Sequence, residues 1–385
     1  ELIDMQLGSE TEEIIEYLNK NDYEYLGLSA TFGQSDTQEQ ILEAIQLDQY
    51  EKVILGGSLA ARNYEQILEQ YPEVKLTILT KKHLAPIFSQ LDRVSVFSAE
   101  VKTRHKGLMG LWRLYKELSK LNLDAVADLH NVLRSRILRK YFALEGVPFV
   151  QIDKGRKEKK SLTRRVNKTF HQLKTTHERY AAVFSELGYP ISIEDSKPLS
   201  RLQLSKNVLK AVTQDTRKWV GIAPFAAYEG KMYPLKLMAE VITALDNTDK
   251  YKILLFGGGP KEVERLKAIE ASYRNVQNVA GKLNLTEELE LISNLDVMLS
   301  MDSGNAHLAA NYGIPVVTLW GVTHPFAGFA PFAQPWENAL LADRNKFPLI
   351  PSSVYGNKMP KGYESVMESI PPQKVVDKLI NILEN

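Results

Sequence analysis

The residues whose types and spacing suggest chemistry gather in Ser300-Met-Asp-Ser-Gly-Asn-Ala-His-Leu-Ala-Ala310. An apolar run ends at Asp302, and Ser303, Gly304 and Asn305 lead straight into a stretch of helical character. The first turn of a helix presents unpaired amides and a partial positive charge, which suits a diphosphate. Ser303 adds a hydroxyl donor. Asp302 would repel a phosphate, so its functional reading is to orient a hydroxyl or a neighbouring amide. The bland alternative for Asp302 and Ser303 is N-capping, which needs only Asp or Ser at that place. For His307 it is a satisfied histidine on the helix's sheet-facing side. Two other loops add weaker signals. Ile222-Ala-Pro-Phe-Ala-Ala-Tyr-Glu-Gly-Lys-Met-Tyr-Pro234 holds Lys231, a point charge able to reach a phosphate and otherwise a solvated lysine. In Phe256-Gly-Gly-Gly-Pro-Lys-Glu262 the glycines let a backbone pass close to a ligand. No Lys-Ser/Thr pair follows them, so this is no P-loop, and it is not the dinucleotide fingerprint.

These loops need strands behind them and helices ahead of them. In the second half, apolar runs 219–224, 251–256, 276–279, 295–300 and 315–320 read as buried strands. Segments 234–245, 260–273, 286–293 and 306–312 read as the helices between them. The first half alternates likewise, with strands at 25–30, 52–56, 75–80, 125–128 and 148–152 and helices at 61–71, 108–121 and 176–187. Short hydrophobic strands alternating with helices imply parallel sheets covered on both faces. Ligands of such sheets bind outside the carboxyl ends of the strands. On that reading Gly321, Thr323 and His324 share the edge of Asp302. A last helix is predicted over 372–383.

Composition narrows the chemistry. Over 385 residues, 48 Lys plus Arg balance 47 Asp plus Glu, so nucleic acid is not an expected partner and any basic recognition is local. With no cysteine there is no disulfide, thiolate metal site or Cys nucleophile. The opening Glu1-Leu-Ile-Asp-Met-Gln6 lacks the basic start and apolar run of a signal peptide. No run approaches the roughly 18 apolar residues of a membrane span, so a cytoplasmic location is expected. The cations crowding 154–174 either meet an acidic glycolipid or the anionic inner membrane surface, or form a solvated charged loop.

Read together, Met301-Asp-Ser-Gly-Asn-Ala-His-Leu-Ala-Ala310, Gly313-Ile-Pro-Val-Val-Thr-Leu-Trp-Gly321 and Thr323-His-Pro325 resemble the signature of glycosyltransferase family nine, the bacterial heptosyltransferases. Leu76-Thr-Ile-Leu-Thr-Lys81, Asp124-Ala-Val-Ala-Asp-Leu-His130, Leu133-Arg-Ser-Arg136, Asp153-Lys-Gly-Arg-Lys-Glu-Lys-Lys160 and Ser353-Val-Tyr-Gly-Asn357 extend the likeness from about residue 71 to the end. The resemblance implies a GT-B-like α/β fold of two Rossmann-like, doubly wound parallel-sheet domains facing across a cleft. The division expected is an acceptor-side domain over 1–190, a linker over 191–215 and a donor domain over 216–345. A loop and helix over 346–385 would pack back toward the first domain.

The implied reaction is inverting, metal-independent transfer of heptose or a related sugar from an ADP-sugar to a lipopolysaccharide-core acceptor. The nucleotide-sugar is a substrate, and no cofactor is implied. Lys231, Glu262, Asp302, Ser303, Gly304 and His307 would hold the donor. Arg134, Arg136, Lys154 and Arg156 would meet the acceptor. Family members carry a catalytic Asp after their first strand. Here Val53-Ile-Leu-Gly-Gly-Ser-Leu-Ala-Ala-Arg-Asn63 has no carboxylate, and Asp36 is wrongly spaced, so the base is unassigned. Residues 1–70 instead resemble part of a cobalamin-binding domain. The alternatives are a nucleotide-sugar-binding protein without turnover, or a chain whose N-terminal part derives from a cobalamin module.

Overall fold

The computed structural model describes residues 67–212 and 216–384, together with the backbone of the strand Lys52–Gly56. The strand expected at 25–30, Asp36 and, apart from the backbone of 52–56 and residues 67–70, the rest of the cobalamin-like residues 1–70 lie outside the described residues.

The first sheet comprises β1 (Lys52–Gly56), β2 (Lys75–Thr80), β3 (Val94–Ser98), β4 (Ala125–Asp128) and β5 (Phe149–Gln151), in the order β3-β2-β1-β4-β5. Every pairing is parallel. Helices α1 (Gly107–Ser119) and α2 (Leu133–Phe142) pack on each other on one face. In α1 the buried positions Leu111, Leu114, Tyr115 and Leu118 recur at helical spacing and meet Val126 of β4 in a single cluster. Ala125 and Ala127, alternating with Val126, join the core on the opposite face. Strand β3 escapes the sequence pattern because it is an edge strand whose side chains are only partly covered.

Helices α3 (Arg156–Leu162) and α4 (Thr176–Glu186) follow, and α5 (Lys206–Ala211) leads into the second sheet. That sheet comprises β6 (Lys218–Ala223), β7 (Tyr251–Leu255), β8 (Val276–Asn278), β9 (Val297–Met301), β10 (Val316–Trp320) and β11 (Ala339–Leu341), in the order β11-β10-β9-β6-β7-β8. Its helices are α6 (Leu235–Asp246), α7 (Pro260–Glu270), α8 (Leu285–Ser293) and α9 (Gly304–Asn311). The inner strands β7, β9 and β10 are buried at every residue, which explains their unbroken apolar runs. Strand β11, three residues long, carries too little pattern to be read in advance.

Two expectations need correction. The final helix, α10 (Pro372–Glu384), does not return to the first domain. Its buried stripe Val375, Val376, Leu379 and Leu383 joins the core of the second sheet and packs against α6. Met238, Val241, Ile242 and Leu245 of α6 supply the matching apolar face. Nor is the basic stretch simply solvated. Lys159 is buried with its amine 4.0 Å from the centre of the Phe329 ring, and desolvation lowers its pKa to about 8. Lys168 donates to the carbonyls of Leu349 and Pro351 at 2.6 and 2.7 Å, tying this segment to the second half.

Candidate functional site

In the second sheet the chain runs outward from β6 to β8, then restarts at β9 on the other side of β6. The connections after β6 and β9 therefore leave in opposite directions and open a crevice at the carboxyl edge. Lys231 follows β6 and Asp302 follows β9. Their side chains meet there, Nζ to Oδ2 at 2.9 Å, and are only 12 % and 9 % exposed.

The loop that delivers Lys231 is laced to its neighbours. Val322 N–H donates to the Gly230 carbonyl at 3.0 Å, and Ser352 N–H donates to the Val322 carbonyl at 2.9 Å. A Cβ on Gly230 would meet Val322, and one on Gly321 would fall 2.3 Å from the Gly230 carbonyl oxygen. Tyr233 anchors the far end, its hydroxyl donating to the Ile370 carbonyl at 2.7 Å. Above the Lys231 stem lies Gly356, at φ +85°, where a Cβ would sit 2.3 Å from Lys231 Cδ and 2.5 Å from Cγ. The Ser353 hydroxyl holds that turn, accepting from Gly356 N–H at 3.0 Å and donating to Asn357 Oδ1 at 3.1 Å. Gly356 is thus a site residue that pattern reading did not single out within Ser353–Asn357.

Asp302 is engaged by Lys231 and is not the N-cap. Ser303 occupies the cap position with extended backbone, yet no side chain caps the first turn of α9. The Ser303 hydroxyl lies 2.9 Å from that of Ser300, which donates to the Met301 carbonyl at 3.0 Å. The proton between the two hydroxyls therefore belongs to Ser303. The amides at Gly304 and Asn305 are thus left uncapped beside the ion pair. His307, one turn into α9, is half-buried. Burial chiefly lowers its pKa, Lys231 adds to that and Asp302 opposes it, so the imidazole is neutral.

Glu262 stands apart from these groups. Its Oε2 accepts from Gly258 N–H at 2.8 Å, closing the glycine turn at the start of α7. Its observed work is to shape that turn. His324 is also elsewhere in effect: it is buried among Phe170, Phe326 and Trp336, and its Nδ1 accepts from Phe326 N–H at 3.1 Å.

In the first sheet the order reverses between β1 and β4, and the β4 loop carries Asp128 and His130. Asp128 is buried and engaged: Oδ1 accepts from the His130 and Asn131 amides at 2.9 and 2.8 Å, and Oδ2 accepts from Gln151 at 2.7 Å. The expected acceptor-side cations do converge here. Lys154 feels Arg156, Asp128 and Arg136, while burial is the main cause of its lowered pKa. His130, with Lys154, Asp128, Arg134 and Lys81 around it, is also held below its ordinary pKa, chiefly by burial.

Residues 111–361 match the family model for glycosyltransferase family 9 (heptosyltransferase). The lipopolysaccharide core heptosyltransferase OpsX of Haemophilus influenzae is 27% identical over 272 residues, 68% of this chain and 74% of that protein. Lipopolysaccharide heptosyltransferase 1 of Escherichia coli K12 is 25% identical over 249 residues, 63% of this chain and 73% of that protein. Among solved structures, a family 9 glycosyl transferase from Veillonella parvula superposes with a TM-score of 0.66 at 17% identity, covering 87% of this chain and 98% of its own. The E. coli ADP-heptose lps heptosyltransferase II does so with a TM-score of 0.60 at 20% identity, covering 86% and 98%. With the whole of the second sheet and strands β4 and β5 of the first inside the matched span, and two doubly wound domains facing across a cleft, the chain belongs to glycosyltransferase family 9 and is a glycosyltransferase of GT-B fold.

Proposed function

We propose that this enzyme transfers heptose, or a closely related sugar, from an ADP-sugar to a lipopolysaccharide-core acceptor. The observation that carries the reading is the Lys231–Asp302 pair beside the uncapped first turn of α9, at the point where the second sheet reverses. An incoming diphosphate takes Lys231 as its counter-ion and the α9 amides as donors, as helix N-termini favour. Asp302, released from Lys231, accepts from a donor hydroxyl, and neutral His307 donates or accepts beside it. The names of the relatives point to the same sugar and acceptor.

In the reaction an acceptor hydroxyl attacks the anomeric carbon from the face opposite the diphosphate. The bond from that carbon to the phosphate oxygen breaks, and ADP departs with the electron pair. Lys231 and the α9 amides meet the charge that grows on the leaving oxygen, so the reading contains no divalent ion. The hydroxyl proton needs a base. With Asp128 buried and accepting three hydrogen bonds, we assign that role to the His130 imidazole, which stands at the carboxyl edge of the first sheet and is held neutral at physiological pH. Arg134, Arg136, Lys154 and Arg156 hold the acidic acceptor there.

Titration calorimetry with ADP and ADP-heptose tests the donor site, and mass spectrometry of the product tests turnover. Binding without product would support a nucleotide-sugar-binding protein lacking turnover. No binding of either ligand would refute the donor assignment. Turnover should persist in EDTA. His130→Gln should lower kcat by about 10²–10⁴-fold with ADP affinity unchanged, as loss of a general base does.

A further inference from the structure

We propose that the N-terminal turns of α1 and α2 form the surface by which this enzyme docks on an anionic lipid bilayer, with Leu108, Met109, Trp112 and Leu133 entering the interface. Leu108, Met109 and Leu133 are 65 %, 81 % and 75 % exposed. Four large apolar side chains at the starts of two adjacent helices are more than the scattered exposure a soluble surface normally shows. In α1, Met109 lies opposite the buried stripe of Leu111, Leu114, Tyr115 and Leu118, while Leu108 and Trp112 lie on its flank. Trp112 leans on Tyr115 and Tyr141 at 5.0 and 5.1 Å, leaving an amphipathic ring edge at the rim, the placement favoured at membrane interfaces.

The charge around these side chains is mostly positive, with Glu100 and Glu117 at the borders of the segment. From Val101 to Lys116 the chain carries Lys102, Arg104, Lys106, Arg113 and Lys116 and no acidic residue. The α2 sequence carries Arg134, Arg136, Arg139 and Lys140, again with no acid. Arg104 is partnered by Glu117, and the Lys116 amine lies 5.1 Å from the Trp112 ring. Neither helix has an acidic residue in its first turn, so no local carboxylate offsets either positive dipole end. Exposed apolar residues ringed by Lys and Arg match a membrane whose headgroups are negative and whose interior is hydrocarbon.

Position gives the surface a purpose. In β3-to-α1 and β4-to-α2 connections the helices begin at the carboxyl edge of the sheet, beside Lys81, His130 and Arg134. A cavity of about 430 Å³ reaches this same edge, its lining including Thr80, Lys81, Val101, His130, Val132 and Arg134. A sugar linked to a lipid would thus be offered to the catalytic edge while its lipid stays in the bilayer. This purpose rests on the acceptor proposed above, whereas the test below does not use the acceptor.

The chain has no cysteine, so Met109→Cys supplies a single labelling site. A polarity-sensitive dye at that position should shift to the blue on vesicles of phosphatidylglycerol and phosphatidylethanolamine, and not on phosphatidylcholine alone. The same dye at Leu144→Cys, beyond the other end of α2 and 72 % exposed, should not shift. Leu108→Glu with Met109→Glu should weaken co-sedimentation with the anionic vesicles by at least about tenfold, since interfacial affinity follows buried apolar area. ADP affinity measured on the same double variant should match the parent, which keeps this result separate from the donor-site reading. No shift at position 109, an equal shift at 144, or undiminished sedimentation of the double variant would overturn the proposal. Absence of any vesicle binding would overturn it too and leave the patch to a protein partner.

Discussion

Gly356→Ala is the most informative single change, because Gly356 touches no part of the donor in the proposed site and acts only through Lys231. At φ +85° an Ala is strained by about 1–2 kcal/mol. Its Cβ would also fall 2.3 Å from Lys231 Cδ, well inside contact distance, so the lysine stem must move or the 353–357 turn must shift. A displaced Lys231 loses a charge-assisted contact to the diphosphate, a loss of about 1.5–3 kcal/mol. That corresponds to roughly a 10- to 100-fold rise in the Kd for ADP. Calorimetric titration reads the Kd, and thermal melting reads the strain. Combining Gly356→Ala with Lys231→Met should then raise Kd no further than Lys231→Met alone, since both act through one group. Parental ADP affinity in Gly356→Ala, or additive losses in the double variant, would refute the path from Gly356 through Lys231 to the diphosphate.

Asp302→Asn should retain ADP binding, because Lys231 is then free for the phosphate. It should lose the added affinity of ADP-heptose over ADP, and an unchanged increment would remove Asp302 from sugar recognition. Arg134→Ala with Arg136→Ala should raise the acceptor KM and leave ADP binding alone; a changed ADP Kd would place these side chains elsewhere. Burial chiefly, helped by Arg344 and Lys168, pushes His324 from 6.5 down to about 4. The unfolded chain therefore binds a proton there that the fold resists, and stability falls as pH drops from 6.5 to about 4. The loss attributable to this side chain is at most about 3 kcal/mol. Melting curves of His324→Gln should be flatter across that window, and a parental slope would show that other groups carry the acid sensitivity.

What could be read in advance followed the strength of local signals. Buried parallel strands such as Val316–Trp320 announce themselves as unbroken apolar runs, and the turn from Asp302 into α9 has a helix-start composition. What could not be read depended on partners distant in sequence. Whether Asp302 caps a helix or pairs with a lysine is decided by a residue 71 positions away (302 − 231), and nothing local to either one states it. Lys159 and Lys168 look solvated in a cationic run, yet Phe329 and the carbonyls of Leu349 and Pro351 draw them inward. The amphipathic pattern of α10 predicts a buried stripe without saying which surface receives it, and α6 offers the matching face. Glu262 illustrates the reverse error, a carboxylate in a ligand-like loop that spends its oxygen on its own turn.

The Lys231–Asp302 pair also determines how far each half of the cleft can be felt. In the proposed site Lys231 would meet the donor with its charge already balanced by a carboxylate 2.9 Å away, so donor capture would exchange one anion for another. Its strength should vary little with ionic strength, because no large field is there to be screened. The opposite edge, with Lys81, Arg134, Lys154 and Arg156 outnumbering Asp128 and Asp153, projects a positive potential over about 8 Å in physiological salt. On the proposed assignment, one half of this enzyme would recognise its substrate on contact, and the other would draw its substrate in from a distance.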